Sequence, residues 1–306
     1  MKVKNSLVIM VSILILLLAA GATVAYVTGW VPGSQNSPGI TEHISPAVDD
    51  GIDQQWLEFT RLEKPMNVLV VGIDKAKSIK GAARPGPWRS DVLMLIRVEP
   101  VDGYVNLLSI PRDTRASIPG HGTEKIAHAH AYGGLPLTVT TVENFLGIKI
   151  DHYLSVDFDT FLHIIDLVGP VEVEVQQELK TQHFQFFPGR QEMDGKQAYE
   201  YVTNRDEPMA DIARIQRQQH FLLALLEIVQ QKANSLDLLR LYMEYARHAE
   251  TTLTFTDVGR LALIALDIAK DEVVLVTLPG KPQYIKGVSY WVADENSLAE
   301  MAGMFK

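Results

Sequence analysis

DVLMLIRVEPVDGYVNLLSIPRD, residues 91–113, contains two apolar runs separated by a short polar stretch. The runs at 91–98 and 104–110 have the length of β-strands, and the stretch between them carries an Asp-Gly pair typical of a tight turn. A third apolar run, MNVLVVGID at 66–74, precedes them. We therefore expect these three segments to form an antiparallel meander.

A meander of this kind places charged residues at a single edge of the sheet. Asp74 ends the first strand, Arg89 and Asp91 begin the second, and Arg112 and Asp113 follow the third. Guanidinium groups bind phosphate oxygens in a bidentate manner, and Mg²⁺ in proteins is held by one or two carboxylates together with substrate phosphates. The edge is therefore a candidate phosphate and metal site, with Asp74 and Asp91 as the metal ligands.

The remainder of the chain alternates between segments with helical and strand patterns. Helices are predicted at 138–147, 158–169, 195–203, 211–232, 256–269 and from 294, and strands at 150–158, 171–175 and 273–280. Interleaved elements of this kind are typical of an α/β domain in which helices cover a sheet. We expect an α-β-α sandwich with a central mixed, largely antiparallel sheet.

The long helix predicted at 211–232 adds further cations that are candidate phosphate ligands. Arg214 and Gln218 are four residues apart, with Arg217 beside them, so they share a face in the first turns. Arg205 lies in the loop just before this helix. A helix start beside arginines provides N–H donors and a favourable dipole for an anion.

Each of these residues also has a purely structural interpretation. Asp74 is compatible with a turn, Asp91 with an ion pair to Arg89, and Arg112 with an ion pair to Asp113. Arginines on a helix usually belong to a solvated face. The functional interpretation rests on the convergence of separate segments.

Composition excludes several classes of function. A formal net charge of -9 argues against a nucleic-acid partner, because such binding depends on clustered Lys and Arg. The absence of cysteine excludes disulfides, thiolate catalysis and Cys-ligated metals. The histidines, among them His128 and His130, match no zinc signature, so local hydrogen bonding is the better interpretation.

The N-terminus has the pattern of a membrane anchor. Lys2 and Lys4 precede an uncharged apolar stretch at 6–27, and about 20 apolar residues span a bilayer as a helix. We expect a cytoplasmic tail at 1–5, a transmembrane anchor at 6–27, an extracytoplasmic linker at 28–62 and a domain at 63–306, with the lysines inside. The alternative is a cleaved signal peptide, although its apolar core would be unusually long.

The motifs GID, RSD, LLSIPRDT, KIAHAHAYGG, DLVGPVEV, DGKQAYEYV and DIARIQRQQ occur in this order between residues 66 and 232. In this the chain resembles the LytR–CpsA–Psr family. The resemblance implies a membrane-anchored, extracytoplasmic enzyme that transfers a glycopolymer, such as teichoic acid or capsular polysaccharide, from a polyprenyl-pyrophosphate carrier to peptidoglycan.

The resemblance also implies roles for residues that match the family motifs. Asp74 and Asp91 would hold Mg²⁺ or Mn²⁺, and Asp113 would ligate, orient an arginine or accept a proton. The catalytic group would be Arg89, Arg112 and Asp113, and the pyrophosphate ligands would be Arg89, Arg112, Arg205, Arg214, Arg217 and Gln218. A lipid pocket between sheet and helices would be lined by residues such as Leu222, Leu225 and Leu226, for which ordinary core packing is the simpler interpretation.

One position departs from the family pattern. Thr203 stands where the family usually has the first arginine of an Arg-x-Arg motif, so one charged donor is missing. Its loss would cost about 1.5–3 kcal/mol unless another cation, such as Lys196 or Arg115, replaces it. Thr203 keeps open a non-catalytic lipid-pyrophosphate binder that regulates the cell wall. A prenyl-pyrophosphate pyrophosphatase or phosphatase also stays open, because no motif shows whether the acceptor is a sugar hydroxyl or water. The polymer, the acceptor and the oligomeric state are not determined by the sequence.

Overall fold

The computed structural model of the chain describes residues 62–73, 86–100, 103–204, 210–232, 250–254 and 272–306, with single positions between 256 and 268. The predicted tail, the anchor and the linker up to residue 61 lie outside the described residues, as do Asp74 and Arg205. In the ranges that are described, no helix is long and apolar enough to cross a membrane.

The described residues form strands and helices along the whole domain, and its first part is mostly strand. The strands are β1 (Met66–Ile73), β2 (Ser90–Glu99), β3 (Tyr104–Ser109), β4 (Arg115–Ile118), β5 (Gly122–Lys125), β6 (His152–Val156), β7 (Val171–Val175), β8 (Leu179–Lys180), β9 (Gln185–Phe186), β10 (Gly189–Met193), β11 (Val273–Thr277), β12 (Gly280–Ile285) and β13 (Val288–Ala293). The described helices are α1 (His128–Leu146), α2 (Phe158–Val168), α3 (Gly195–Thr203), α4 (Ala210–Lys232) and α5 (Glu295–Gly303).

A 5-stranded sheet with the order β11-β3-β2-β1-β6 forms the centre of the domain. β2 pairs antiparallel with both β1 and β3, so the predicted meander is confirmed. The outer strands β6 and β11 pair parallel to β1 and β3. The sheet is therefore mixed, as expected, but the expectation that it is largely antiparallel was wrong, because the crossovers through helices bring both outer strands in parallel.

The two faces of this sheet have separate cores. Val68 and Val70 face a cluster shared with α2, α3 and α4, whereas Leu69 and Val71 face a cluster shared with α1 and α5. This division follows from the two-residue period of a strand, which sends successive side chains to opposite faces. The domain thus has helix, sheet and helix layers, and the predicted α-β-α sandwich is confirmed.

Three helices begin at an aspartate that caps them. Asp157 accepts a hydrogen bond from the backbone of Thr160 at 3.0 Å, and Asp294 caps α5 in the same way. Asp194 forms a capping box with Gln197: its carboxylate accepts from the backbone of Gln197, and Oε1 of Gln197 accepts from the backbone of Asp194. Such a cap contributes about 1 kcal/mol, which explains why these helices begin where they do.

The sequence pattern missed the small hairpins. β4 pairs with β5, β8 with β9, and β12 with β13, each as a separate 2-stranded sheet. These strands lack the long apolar runs that mark a buried strand, because much of their surface stays exposed. The β4–β5 hairpin matters most, since it carries residues that reach the candidate site.

Gly72 provides a test of this packing. A Cβ atom at Gly72 would lie 2.7 Å from Cβ of Val92 on the neighbouring strand, a distance at which one strand must shift. We expect Gly72→Ala to lower the free energy of unfolding by about 1–3 kcal/mol, as overpacking does. The thermal unfolding midpoint measures this.

Gly303→Ala is the matched control, because a Cβ there meets no atom within 4 Å. It lies in α5, where alanine is a better helix former than glycine. If the thermal unfolding midpoint fell equally in Gly72→Ala and Gly303→Ala, the close approach of β1 and β2 would be contradicted.

Candidate functional site

The register of the meander brings Asp91 and Arg112 into contact. Ile73 lies opposite Ser90 across β1 and β2, and the backbone of Ile110 donates to the carbonyl of Leu93 at 2.9 Å. The start of β2 and the end of β3 are therefore neighbours, as predicted. There Nη1 of Arg112 lies 2.8 Å from Oδ1 of Asp91, with 22% and 26% of the two side chains exposed.

Both structural alternatives predicted for these residues named the wrong partner. Asp91 pairs with Arg112 rather than with Arg89, and Asp113 pairs with Lys125 at 2.9 Å. The reason is that β5, which the sequence pattern did not predict, carries Lys125 to the end of β3. Lys125 lies inside the KIAHAHAYGG motif, and this was the one sequence feature that could have indicated a place for it near the site.

The cation Arg214 lies beneath this pair. It is only 2% exposed, and its Nη2 lies 3.4 Å from the backbone oxygen of Asp91. Removing a guanidinium from water costs several kcal/mol unless partners compensate. The sheet edge therefore joins an exposed ion pair to a buried cation supplied by α4.

The side chains of Arg217 and Gln218 bind the end of α3 rather than the sheet edge. Nε of Arg217 donates to the carbonyl of Tyr201 at 2.9 Å, its Nη2 donates to that of Asn204, and Nε2 of Gln218 donates to that of Val202 at 3.1 Å. These carbonyls belong to the C-terminal end of α3, where a helix has no partners of its own. The two side chains thus fasten α3 to α4 directly before the segment that contains Arg205.

Arg89 lies at the surface, on a segment that is fixed at both sides. His130 donates from Nδ1 to the carbonyl of Trp88 at 3.0 Å, and the backbone of Ser90 donates to that of Ala127 at 3.4 Å. Arg89 itself is exposed. The interpretation of His130 and His128 as locally hydrogen-bonded residues is confirmed, since His128 bonds Glu124 at 2.7 Å.

The hydroxyl of Thr203 is used within its own helix. Its hydroxyl donates to the carbonyl of Tyr199 at 2.6 Å, one turn back along α3. Lys196 lies near the opposite end of the same helix, about 10 Å along its axis, so it does not replace the missing arginine. Arg115 is exposed and lies opposite Lys125 in the β4–β5 ladder. Lys125 and Arg115 are therefore the cations nearest to Asp113 on this hairpin.

Leu222 and Leu225 lie in the core beneath the sheet. Their exposed fractions are 0% and 1%, and they share a cluster with Phe161 and Phe221. This agrees with their simpler interpretation as core residues. The side chain of Leu226 lies outside the described residues.

Of the two predicted metal ligands, the structure describes Asp91, whose carboxylate pairs with Arg112. Mg²⁺ usually takes one or two carboxylates and completes its octahedron with water and substrate phosphate. Asp91 offers a partly exposed carboxylate at the sheet edge. The described residues contain no cluster of three His, Asp or Glu suited to a metal, which a site completed by substrate oxygens does not require.

Comparison with known proteins gives consistent matches. A sequence model of the LytR_cpsA_psr family matches residues 34–306. A Bacillus licheniformis protein named polyisoprenyl-teichoic acid–peptidoglycan teichoic acid transferase TagU is 30% identical over 247 residues, which cover 79% of this chain and 77% of that protein.

Several solved structures are similar to the chain, among them the following two. Bacillus subtilis TagV shares 29% identity at a TM-score of 0.69, with 80% of this chain and 96% of that one covered. A LytR-CPS2A-psr family protein, YwtF (TagT), with bound octaprenyl pyrophosphate lipid shares 27% identity at a TM-score of 0.61, with 79% and 89% covered.

The structural role of Arg217 at the end of α3 can be tested by substitution. Replacing it with Met leaves the carbonyls of Tyr201 and Asn204 without this donor, which costs about 1–3 kcal/mol for a buried acceptor. We expect the thermal unfolding midpoint of Arg217→Met to fall, whereas Gln216→Ala, an exposed position on the same helix, leaves it unchanged. A variant that keeps its midpoint would contradict the structural role.

Proposed function

The chain belongs to the LytR_cpsA_psr family, and on that premise we propose that it is a glycopolymer transferase of the cell wall. Its donor is a glycopolymer, of the teichoic acid or capsular polysaccharide class, carried on polyprenyl pyrophosphate. Its acceptor is peptidoglycan, and the product is a phosphodiester. The anchor at 6–27 holds the N-terminus in the cytoplasm and the domain at 63–306 outside the membrane.

The observation that carries this proposal is the convergence of cations at one sheet edge of an acidic chain. Arg112 from the turn after β3, Arg214 from α4 and Lys125 from β5 belong to three separate parts of the sequence and meet around Asp91 and Asp113. The formal net charge is -9, so this concentration is local. It supports a ligand with several negative oxygens, as a pyrophosphate has.

Phosphoryl transfer depends on positioning and on stabilising charge in the transition state. In the proposed reaction, an acceptor hydroxyl attacks the phosphorus that bears the glycopolymer, and the bond to the lipid phosphate breaks. Polyprenyl phosphate leaves with the electron pair. Arg112 and Arg89 stabilise the phosphate oxygens, while Arg214 adds positive charge from beneath.

Asp113 is the group that we assign to the proton of the acceptor hydroxyl. Its carboxylate is 26% exposed and is held by Lys125, so it is fixed beside the arginines and remains open to an incoming hydroxyl. A base must lie within hydrogen-bond reach of the proton that it takes. Arg205, outside the described residues, completes the proposed pyrophosphate surface, and Arg217 and Gln218 support it by fastening α3 to α4 directly before Arg205.

Asp91 and Asp74 would hold Mg²⁺, or Mn²⁺ in its place, and the ion would neutralise charge on the pyrophosphate oxygens when bound. The partly exposed carboxylate of Asp91 at the sheet edge supports this assignment. It predicts that removal of divalent cations abolishes activity and that Mg²⁺ restores it.

The test is transfer of a labelled, polyprenyl-pyrophosphate-linked polymer to peptidoglycan by the full chain in detergent. We expect incorporation that is lost with a chelator, and a fall of about 10²-fold or more in Arg112→Lys and Asp91→Asn. Arg190→Lys is the matched control, because the side chain of Arg190 is 78% exposed on the remote β7–β10 pair.

The same assay separates the alternatives. Label released as soluble polymer phosphate would identify a hydrolase that uses water, and tight donor binding without turnover would identify a binding protein. Either result would overturn the transferase.

Thr203 gives a second prediction about the donor. Thr203→Arg adds a guanidinium donor where the family usually has one, and we expect the KM for the lipid-linked donor to fall by up to about tenfold. Thr203→Leu, which also breaks the bond to Tyr199 but adds no charge, is the control. An unchanged KM in Thr203→Arg would mean that other cations already fill this position.

A further inference from the structure

A cluster of aromatic and polar side chains lies beside the proposed site and takes no part in it. We call it the tyrosine platform: His121, Glu124, His128 and Tyr132, from the β4–β5 hairpin and the first turns of α1. The hydroxyl of Tyr132 donates to Oε2 of Glu124 at 2.8 Å, and Nδ1 of His128 bonds the same oxygen at 2.7 Å. The ring of His121 stacks on that of Tyr132 at 4.3 Å and 11°.

The platform adjoins the ends of β2 and β3. Ala127, the residue before His128, donates from its backbone to the carbonyl of Arg112 at 3.2 Å, and its carbonyl accepts from Ser90 at 3.4 Å. Next to Glu124 in β5, Lys125 binds Asp113. The platform and the candidate site are thus joined by one continuous backbone framework.

Tyr132 is held rigidly but stays open to solvent. It is 44% exposed, an unusual exposure for a large apolar side chain in this domain. Its hydroxyl is fixed by Glu124, and the helix kinks immediately after it at Gly133 and Gly134, whose backbone is non-helical. A binding surface of this kind loses little conformational entropy when a ligand docks.

The carboxylate of Glu124 adds a second recognition element. Oε2 takes the bonds from both His128 and Tyr132, and among the described residues none donates to Oε1. The hydrogen bonds from His128 and Tyr132 hold the pKa of Glu124 below its ordinary value, so the group is ionised and acts as an acceptor. Oε1 is therefore available to a ligand that brings hydroxyl or amide donors.

A partly exposed aromatic ring beside a carboxylate suits a sugar. The C–H groups on one face of a sugar ring carry partial positive charge and pack on the negative face of an aromatic ring, while the hydroxyls donate to a carboxylate. A negatively charged pyrophosphate does not suit this place, because Glu124 would repel it.

We propose that the tyrosine platform binds a sugar ring of the acceptor glycan, stacked on Tyr132 and hydrogen-bonded to Oε1 of Glu124. The identity of this sugar as part of the acceptor rests on the proposed function. In this arrangement the platform holds the acceptor strand next to Asp113, and the arginines hold the lipid-linked donor on the other side. The two substrates then have separate binding surfaces that meet at the reacting atoms.

The test measures the affinity of the full chain in detergent for soluble, uncrosslinked peptidoglycan glycan strands, without any lipid donor. We expect Tyr132→Ala to weaken this affinity about five- to tenfold, which corresponds to the loss of one aromatic contact. Tyr132→Phe keeps the ring and should stay within about twofold of the wild type. Tyr284→Ala removes a tyrosine that is 81% exposed on the β12–β13 hairpin and should have no effect.

Binding of octaprenyl pyrophosphate to the same variants provides the control for folding. Unchanged lipid affinity in Tyr132→Ala, together with weakened glycan affinity, supports the platform. Equal loss of both affinities, unchanged glycan affinity in Tyr132→Ala, or no glycan binding by the wild type overturns it.

These outcomes are independent of catalysis. If the chain binds glycan through Tyr132 but transfers no polymer, the proposed function fails and the sugar site stands. If the chain transfers polymer but Tyr132→Ala leaves glycan affinity intact, the sugar site fails and the function stands.

Discussion

The candidate site depends on the antiparallel pairing of β2 with β1 on one side and with β3 on the other. Because of this pairing, the start of β2 lies beside the end of β3, and Asp91 meets Arg112 at 2.8 Å. A slip of one residue would send alternate side chains to the wrong face of the sheet and separate these groups. The apolar cores on both faces oppose such a slip, so the core that stabilises the fold also sets the geometry of the ion pair.

Around this pair, the helices add charge at a cost in free energy. Arg214 is almost fully buried, and its desolvation must be offset by neighbouring groups such as the carbonyl of Asp91. Arg217 and Gln218 use their donors to close the end of α3. Residues of one short motif thus have two different partners. Arg214 binds the sheet edge, whereas Arg217 and Gln218 bind the end of α3.

Much of this arrangement was predictable from local patterns. The three apolar runs predicted the meander, the 3.6-residue period predicted α4, and chain order alone placed Asp91 and Arg112 at one edge. The partners of the charges were not predictable in the same way. Lys125 reaches Asp113 through the β4–β5 hairpin, whose short strands have no apolar run. The parallel pairing of β6 and β11 also depends on long connections, and no local pattern reports it.

The sequence by itself determined which segments are buried, which ends carry charge and which family the motifs resemble, because these properties follow from the order and period of side chains. Only the tertiary structure decided which charged side chains form ion pairs with each other. The ion pairs of Asp91 and Asp113, the burial of Arg214 and the stacking of His121 on Tyr132 join residues from different elements. Contacts of this kind depend on how whole layers pack, and the packing is set by all the buried side chains together rather than by any one stretch of the chain.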